Sequence, residues 1–442
     1  MYYLSLNNNS SKATFKEAVV KGIAPDRGLY YPEEIKPLPD EFIKNLKDFS
    51  NEEIALTALE QFIGNEIPKE KLKEIIQETL CFDFPLVEIE KDIYTLELFH
   101  GPTMAFKDVG ARFMARCLGY FNADEKEKEV TVLVATSGDT GGAVASGFLG
   151  VNGVKVVILY PSGKVSDIQE KQLTTLGQNI MALEVDGTFD DCQEMVKSAF
   201  IDPQLAPVSL TSANSINVAR WLPQMLYYFF AYKALLAQNK KIVFSVPSGN
   251  FGNICAGMVA ARLGLPIHHF VASTNVNDTV LQFLETGIYQ PKPSKQTISN
   301  AMDVGNPSNF IRIQKLMNND TYRLKSVFSS YSYTDKETKR AMKVIYKNAK
   351  YIADPHGAVG YLGLKEHMEA QEEGALGVFL ETAHPVKFKD VVESVIGQKL
   401  DIPEQIKVVL DKEKKSIPID SYEGLKSYLL SSSSAELLKN KL

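Results

Sequence analysis

The order of apolar and polar positions separates an irregular, helical N-terminal part of the chain from a longer part in which strand and helix patterns alternate. Amphipathic helical patterns lie at 54–62 and 72–80, and the stretch 32–39 is interrupted by prolines. No short β-branched run of the kind that forms a buried strand stands out before about residue 90. We therefore expect residues 1–90 to form a helical cap region.

From about residue 131 short β-branched runs alternate with helical segments. A first series of runs lies at 131–136, 154–159 and 179–185, and a second lies at 241–246, 266–273 and 374–382. Because strands that alternate with helices form parallel sheets, the pattern predicts an α/β fold with two parallel-sheet domains. We place the smaller domain at 91–240 and the larger at 241–442. The polar tail after about residue 400 is predicted to be a solvated helical element.

Composition excludes several classes of protein. The chain has 442 residues, of which 45% are hydrophobic and 23% charged, so it can bury the cores of two or three domains. The net charge is -6 and the lysines form no basic stripe, so no nucleic-acid partner is expected. The sequence contains no secretory leader pattern and no apolar stretch long enough to span a bilayer, which predicts a cytoplasmic protein without a membrane partner.

Cysteine and histidine usage argues against disulfides and metals. The four cysteines lie far apart with no CxxC pair, and we interpret them as packed thiols in a reducing compartment. Of the six histidines only His268 and His269 are close in sequence, and adjacent strand residues point to opposite faces. No metal site is predicted.

Two glycine-rich loops follow predicted strands, at 135–142 (ATSGDTGG) and at 247–253 (PSGNFGN). Such a loop lets the backbone approach a ligand, and the helix after it offers free N–H groups to an anion. Neither loop matches the Walker or the GxGxxG pattern, and GxSxG is absent from the chain. Taken singly, each loop is equally consistent with an ordinary strand-to-helix turn.

The third segment that suggests chemistry surrounds Lys107. A lone lysine is ordinarily solvated. Here an apolar lead-in precedes it, formed by Phe99, Met104, Ala105 and Phe106. Such surroundings would lower the pKa of the amine and make it a nucleophile toward a carbonyl. The segment is therefore typical of a Schiff-base lysine.

The order of these segments resembles the fold type II pyridoxal-phosphate enzymes of the tryptophan synthase β family. Within that group the chain is most similar to the long form of the threonine synthase family. The resemblance covers about residues 22–390, from GIAPDRGLYYPE onward, and is carried by FHGPTMAFKD, ATSGDTGG, TSANSINVAR, VPSGNFGN, NAMDVGNPSNF, ADPHGAVG and ETAHPVKF. It implies two parallel-sheet domains with an N-terminal helical cap.

The resemblance also implies an activity. Members of the family convert O-phospho-L-homoserine and water into L-threonine and phosphate with pyridoxal 5'-phosphate, which implies a small-molecule partner. We expect the protein to be a monomer or a homodimer. One alternative is a phospho-lyase on the same scaffold that releases 2-oxobutyrate. Another is a non-catalytic protein that binds a phosphate ligand, and the intact Lys107 argues against it.

Site residues are implied position by position. Lys107 matches the lysine that holds the cofactor and later carries protons. Thr382 matches the hydroxyl that faces the pyridine nitrogen; the alternative is a threonine that caps the helix from His384. The cofactor phosphate would lie on the second glycine-rich loop, at Ser248, Gly249, Asn250, Phe251, Gly252 and Asn253. The first loop would contact the substrate carboxylate and the cofactor's phenolic oxygen, through Ser137, Gly138, Asp139 and Thr140.

Asp139 departs from the pattern of shorter family members, which have Asn at this position. A carboxylate beside a phenolate would repel it unless one of the two is protonated, so the sequence leaves the role of Asp139 open.

The substrate phosphate requires a second anion site. Ser212, Asn214 and Arg220 are predicted to form it, because guanidinium groups suit phosphate geometry. Arg220 precedes a helical segment, so the alternative for it is a plain surface cation. Arg112, one turn after Lys107, is a weaker prediction of the same kind.

Overall fold

The computed structural model of the chain describes residues 1–123, 129–371 and 374–439. The strands are β1 (Tyr3–Ser5), β2 (Tyr30–Pro32), β3 (Leu86–Glu90), β4 (Ile93–Glu97), β5 (Val130–Ala135), β6 (Val154–Pro161), β7 (Ile180–Val185), β8 (Ser209–Ser212), β9 (Ile242–Pro247), β10 (His269–Thr274), β11 (Phe328–Ser332), β12 (Leu376–Glu381) and β13 (Ile417–Ile419).

The α-helices are α1 (Phe15–Lys21), α2 (Asp40–Lys44), α3 (Asn51–Ile63), α4 (Lys69–Thr79), α5 (Lys107–Asn122), α6 (Asp139–Phe148), α7 (Asp167–Thr174), α8 (Phe189–Ile201), α9 (Val218–Trp221), α10 (Leu226–Leu235), α11 (Gly252–Arg262), α12 (Thr279–Thr286), α13 (Phe310–Leu316), α14 (Thr321–Lys325), α15 (Asp335–Ala349), α16 (Pro355–Gln371), α17 (Lys389–Ile396), α18 (Glu404–Leu410) and α19 (Tyr422–Lys439). Short 3₁₀ turns matter for the site at Asn300–Met302 and Pro385–Phe388.

Two sheets organise the fold. The larger has six strands in the order β11-β10-β9-β12-β4-β3, and the smaller has five in the order β13-β7-β6-β5-β8. All neighbouring strands in both sheets are parallel except β3 and β4. The predicted α/β class with two parallel-sheet domains is confirmed, and each of the six predicted strand runs overlaps a strand.

The two sheets do not follow the predicted boundaries at 91 and 241 strictly. Strand β4 lies in the segment assigned to the smaller domain, but it pairs with β12 of the larger sheet. Strand β13 comes from the C-terminal tail and pairs with β7 of the smaller sheet. The chain therefore crosses between the two sheets more often than the predicted boundaries indicate. The local sequence pattern could not predict these crossings, because the paired strands are far apart in sequence.

The prediction of a solvated tail was wrong. Leu425 and Leu429 are buried in an apolar cluster with Cys192 and Val196 of α8, on one face of the smaller sheet. Their spacing of four residues places both on one side of α19. Residues 440–442, which the predicted larger domain includes, lie outside the described residues.

The N-terminal cap region is held together by its own contacts and is bound to α13. The Tyr3 hydroxyl donates a 2.7 Å hydrogen bond to the carbonyl of Phe62, which ties β1 to α3. Arg312 of α13 is fully buried, lies 4.2 Å from the ring of Trp221 and donates 2.8 Å to the carbonyl of Tyr30. A guanidinium from the larger domain therefore fixes the cap strand β2.

Several expectations about side chains can be compared with the structure. Cys117, Cys192 and Cys255 are buried free thiols, but Cys81 is exposed, so its prediction as a packed thiol was wrong. In the described residues no helix is long and apolar enough to cross a membrane. The same part of the chain contains no group of three His, Cys, Asp or Glu side chains that could hold a metal ion.

Candidate active site

Lys107 is the first residue of α5, at the end of a loop that is fastened to the larger sheet. The amide of Phe106 donates a 2.9 Å hydrogen bond to the carbonyl of Thr382, and the amide of His384 donates a 3.0 Å bond to the carbonyl of Met104. Met104 and Ala105 are buried. Burial lowers the pKa of Lys107 from 10.5 to about 8. The predicted effect of the apolar lead-in is therefore confirmed.

The loop before Lys107 is held from inside by Asp108. This buried carboxylate accepts hydrogen bonds from the amide of Thr103, at 2.9 Å, and from its hydroxyl, at 2.5 Å. Gly101 is required here, because a Cβ at that position would lie 2.4 Å from Asp108 Oδ2. The loop is thus preorganised before any ligand enters.

The second glycine-rich loop follows β9 and leads into the N-terminus of α11. Phe251 adopts a left-handed conformation with φ 59°, which turns the chain into the helix beginning at Gly252. Gly249 allows close packing, since a Cβ there would lie 2.8 Å from the carbonyl oxygen of Ala301. The first N–H groups of a helix have no intrahelical acceptor and favour an anion.

The loop is held from behind by the segment 308–309. The amide of Asn309 donates 3.1 Å to the carbonyl of Asn250, and the amide of Ser308 donates 3.2 Å to its side-chain oxygen. These contacts fix both the backbone and the side chain of Asn250.

Lys107, both glycine-rich loops and Thr382 meet at one cavity between the two sheets. Its volume is about 100 Å³, and its walls include Lys107, Ser137, Thr140, Asn214, Arg220, Ser248, Gly249, Asn250, Phe251, Gly252, Asn253, His356 and Thr382. A wider cleft of about 730 Å³ shares Ser137, Phe189, Asn300 and Asp303 with it. The fold therefore brings together segments that are far apart in sequence.

The cavity suits a ligand that is both polar and anionic. Among the described residues, the buried Arg220 Nε and Asn253 Nδ2 have no protein acceptor. Asn253 Oδ1 accepts a 2.6 Å hydrogen bond from the Tyr228 hydroxyl, and this arrangement leaves Nδ2 free to donate to a ligand. Two unsatisfied donors, the N-terminus of α11 and a nucleophilic lysine fit pyridoxal phosphate, which carries both an aldehyde and a phosphate.

Arg220 is not a surface cation. It is 2% exposed, and one guanidinium nitrogen donates to the carbonyl of Ala213. Burial lowers the pKa of Arg220 to about 10, so the group remains charged at neutral pH. Asn214 lies beside it and donates a 3.1 Å bond to the carbonyl of Ala135, at the end of β5.

Some predicted substrate residues lie away from the cavity walls. Arg112 donates 2.6 Å to the carbonyl of Glu78 in the N-terminal part of the chain, so the structure does not place it at the site. Ser212 is buried, and its hydroxyl contacts Asn214 at 3.3 Å rather than the cavity. Gly138 adopts φ 133°, and a Cβ there would lie 2.5 Å from the Gln169 side chain. Its contribution is to shape the loop.

Asp139 lies behind the cavity wall in an ion pair. Its Oδ1 lies 2.6 Å from Lys387 Nζ and accepts a 3.0 Å hydrogen bond from Gln169 Nε2. Burial alone would raise the pKa of Asp139, but the charges of Lys387 and Lys107 hold it well below its usual range. The carboxylate whose role the sequence left open therefore has a cationic partner.

Thr382 is buried in the cavity wall directly after β12. The interpretation of Thr382 as a helix cap was wrong. The residue that caps the 3₁₀ turn Pro385–Phe388 is His384, whose Nδ1 accepts a 3.1 Å bond from the amide of Val386. The Thr382 side chain therefore does not cap this turn, and Thr382 lines the cavity.

Sequence reasoning missed Lys387 and His356. Lys387 lies in the ETAHPVKF segment between the apolar Val386 and Phe388, the same signal that identified Lys107. His356 pairs with Asp354 at 3.0 Å, and its Nε2 accepts a 3.2 Å bond from the amide of Ala301. It thereby fixes the turn that packs on Gly249.

The geometry can be compared with known proteins. The family model described as pyridoxal-phosphate dependent enzyme matches residues 76–381, and the models for the threonine synthase N terminus and C-terminal part match residues 2–80 and 357–429. Threonine synthase of Escherichia coli is 43% identical over 428 residues, which cover 96% of each chain.

Solved structures give the same result. The crystal structure of threonine synthase from Escherichia coli has a TM-score of 0.92 and 41% identity, and the match covers 98% of this chain and 100% of that one. The pyridoxal-phosphate-bound threonine synthase from Brucella melitensis has a TM-score of 0.90 and 35% identity, with 97% and 98% covered. Family models, full-length relatives and solved structures therefore agree with one another, and the chain belongs to the threonine synthase family of pyridoxal-phosphate-dependent enzymes.

Proposed function

We propose that this protein converts O-phospho-L-homoserine and water into L-threonine and phosphate. The observation that carries the proposal is the position of Lys107, an amine with a lowered pKa on the wall of a cavity that also contains a helix N-terminus and a buried arginine. The reaction requires one site for a covalently held carbonyl cofactor and two for phosphate groups. The cavity supplies groups of each kind.

Pyridoxal phosphate would be held by Lys107 and by the loop 248–253. The backbone N–H groups at the start of α11 would bind its phosphate, and Asn253 Nδ2 would supply a further donor. Thr382 also lines the cavity, and the family resemblance places the pyridine nitrogen at its hydroxyl. When bound, the cofactor supplies an electron sink for negative charge that develops beside the substrate amine.

Lys107 is the group that moves protons. Its pKa of about 8 leaves a substantial neutral fraction at neutral pH, which an ordinary lysine does not have. The neutral Nζ would accept the proton from the Cα of the bound substrate. The same nitrogen is free to return a proton later in the reaction, since it stays attached to the rigid start of α5.

The substrate is oriented by charged and polar groups on the walls. Arg220 stays protonated and has an unused Nε–H, which suits the departing phosphate. Ser137 and Thr140 line the side formed by the smaller sheet, where the substrate carboxylate would bind, and Asn214 lines the cavity with Arg220, where the departing phosphate would bind. The 730 Å³ cleft provides the path by which substrate and water enter.

One assay tests the proposal directly. The protein is incubated with O-phospho-L-homoserine and pyridoxal phosphate, and phosphate, threonine and 2-oxobutyrate are measured together. Equal amounts of phosphate and threonine are expected. Release of phosphate with 2-oxobutyrate in place of threonine would instead identify a phospho-lyase. If no phosphate is released, the protein would be identified as a non-catalytic protein that binds a phosphate ligand.

A further inference from the structure

Lys387 and Asp139 form an ion pair that joins the two sheets. Lys387 lies in the 3₁₀ turn after β12 of the larger sheet, and Asp139 begins α6 after β5 of the smaller sheet. Their charged atoms are 2.6 Å apart, and the side chains are 0% and 4% exposed. A pair this well shielded from water is much less screened than a surface salt bridge.

The ammonium group of Lys387 also reaches the lysine loop. It donates a 2.9 Å hydrogen bond to the carbonyl of Thr103, which accepts a 3.2 Å bond from Gln172 as well. Thr103 is in turn bound to Asp108, next to Lys107. One nitrogen therefore connects the end of β12, the first glycine-rich loop and the loop that presents Lys107.

The pair is a net neutral unit, which explains why a carboxylate is tolerated at position 139. A buried carboxylate without a partner is strongly destabilising. Gln169 supplies only a neutral donor to Asp139, at 3.0 Å, so the compensating charge comes from Lys387. An amide at position 139 would need no such partner.

Both members of the pair act on Lys107. The charges that face the Lys107 amine belong to Asp139, which favours its protonated form, and to Arg220 and Lys387, which disfavour it. Lys387 itself is also near the buried Asp108 and near His384. His384 is neutral at pH 7, because burial lowers its pKa to about 4. Loss of either partner would leave the charge of the other uncompensated and would shift the pKa of the Lys107 amine.

From this arrangement we propose that Lys387 is a positioning residue of the active site. Its ion pair with Asp139 holds the first glycine-rich loop against the end of β12 and keeps Asp139 from acting as an isolated negative charge beside Lys107. The inference rests on the proposed function, since it assigns the pair a part in the same site. It predicts that substituting either residue alone shifts the protonation of Lys107, and that the two shifts have opposite signs.

The test measures the pH dependence with which Lys107 captures the cofactor. Full-length protein is freed of cofactor, pyridoxal phosphate is added, and the rate of appearance of the visible absorbance band is followed from pH 6 to pH 10. The variants are Lys387→Met, Asp139→Asn and the double variant. Lys389→Met is the matched control, because Lys389 is on the next turn and lies 3.9 Å from Glu393 instead.

The expected shifts have opposite signs. Lys387→Met leaves Asp139 uncompensated, so Lys107 holds its proton more tightly and the midpoint rises by about one pH unit. Asp139→Asn leaves Lys387 uncompensated, and the midpoint falls by a larger amount, because the charge of Asp139 acts on Lys107 more strongly than that of Lys387. The midpoint of the double variant lies between those of the two single variants, because both charges are gone and their opposite effects partly cancel. Lys389→Met does not change the midpoint.

Shifts of the same sign, no shift, or a double variant whose midpoint falls outside the range set by the two single variants would each overturn the inference. If Lys387→Met does not fold by circular dichroism, Asp139→Asn and the double variant decide in the same way. Failure of the proposed function would be seen separately, as wild-type protein that captures the cofactor but makes no threonine.

Discussion

The amide of Phe106 donates a hydrogen bond of 2.9 Å to the carbonyl of Thr382, and this bond joins the two walls of the active site. Phe106 immediately precedes Lys107, and Thr382 immediately follows β12, a central strand of the larger sheet. The amine of Lys107 and the hydroxyl of Thr382 are therefore fixed relative to each other by backbone contacts. Side-chain substitutions at either position should change the chemistry more than the fold.

Replacing Lys107 with Ala should abolish threonine formation, with a loss of at least about 10³-fold. The change removes the amine that holds the cofactor and moves the proton, while the surrounding apolar contacts of Met104 and Ala105 remain. Turnover and thermal unfolding are measured on the same preparation. The exposed Lys91 provides the control, since Lys91→Ala should leave both quantities unchanged.

Borohydride reduction of the wild-type protein followed by peptide mapping should label Lys107. Normal turnover in Lys107→Ala, or a label on another lysine, would show that a different residue holds the cofactor.

Replacing Gly252 with Asp should weaken binding of pyridoxal phosphate by about tenfold or more. Gly252 is the first residue of α11, and the added carboxylate opposes the cofactor phosphate at the helix N-terminus. A Cβ at this position lies 3.3 Å from Asn309 Nδ2, so some steric effect is expected from any side chain. Gly252→Asn is the matched control, because it adds the same volume without the charge.

Cofactor retained per protein after gel filtration gives the comparison. Equal retention by the Asp and Asn variants would mean that the phosphate is bound elsewhere than on the loop 248–253.

The sequence identifies Lys107 and the two glycine-rich loops because their signals are local. Both signals can be recognised within about a dozen positions: a lysine among apolar residues, and a glycine-rich turn after a β-branched run. The pairing of Asp139 with Lys387 has no such signal, since it forms only when the two sheets are packed together.

The burial of Arg220 was invisible for the same reason. The helical segment after Arg220 does not indicate that α5 covers this residue. In the structure α5 packs so closely on it that a Cβ on Gly110 would lie 2.5 Å from the Arg220 carbonyl oxygen. Arg112 shows the converse error. Its position one turn after Lys107 suggested the site, but on the helix it faces Glu78 of the N-terminal part of the chain.

Replacing Arg220 with Met should raise the KM for O-phospho-L-homoserine by about ten- to a hundredfold, the cost of a lost hydrogen bond to a charged group. Cofactor content should stay at the wild-type level, because the loop 248–253 binds the cofactor phosphate independently. Arg220→Lys keeps the charge and should have the smaller effect.

Initial rates over a range of substrate concentrations separate KM from kcat. A loss of cofactor in Arg220→Met, with an unchanged KM in the remaining holoenzyme, would place Arg220 at the cofactor phosphate instead.

Replacing Thr382 with Val should lower turnover about tenfold without releasing the cofactor. The hydroxyl is removed from the cavity wall, while the side-chain volume and the backbone bond from Phe106 are kept. Thr382→Ser retains the hydroxyl and should recover most of the activity. Wild-type rates in Thr382→Val would show that the pyridine nitrogen has another partner.

The pH dependence of cofactor capture provides the last prediction. In the cofactor-free protein, burial lowers the pKa of Lys107 to about 8, so the reactive neutral amine is already abundant near pH 8. Below that pH the amine is protonated and capture slows by about tenfold per unit; above it the rate levels off. An ordinary lysine with a pKa of 10.5 would show a rate still rising at pH 10. Stopped-flow measurement of the visible band after mixing with pyridoxal phosphate distinguishes the two profiles. A plateau near pH 8 would attribute the nucleophilicity of Lys107 to its buried setting, whereas a rate that climbs to pH 10 would mean that the amine is hydrated before the cofactor binds.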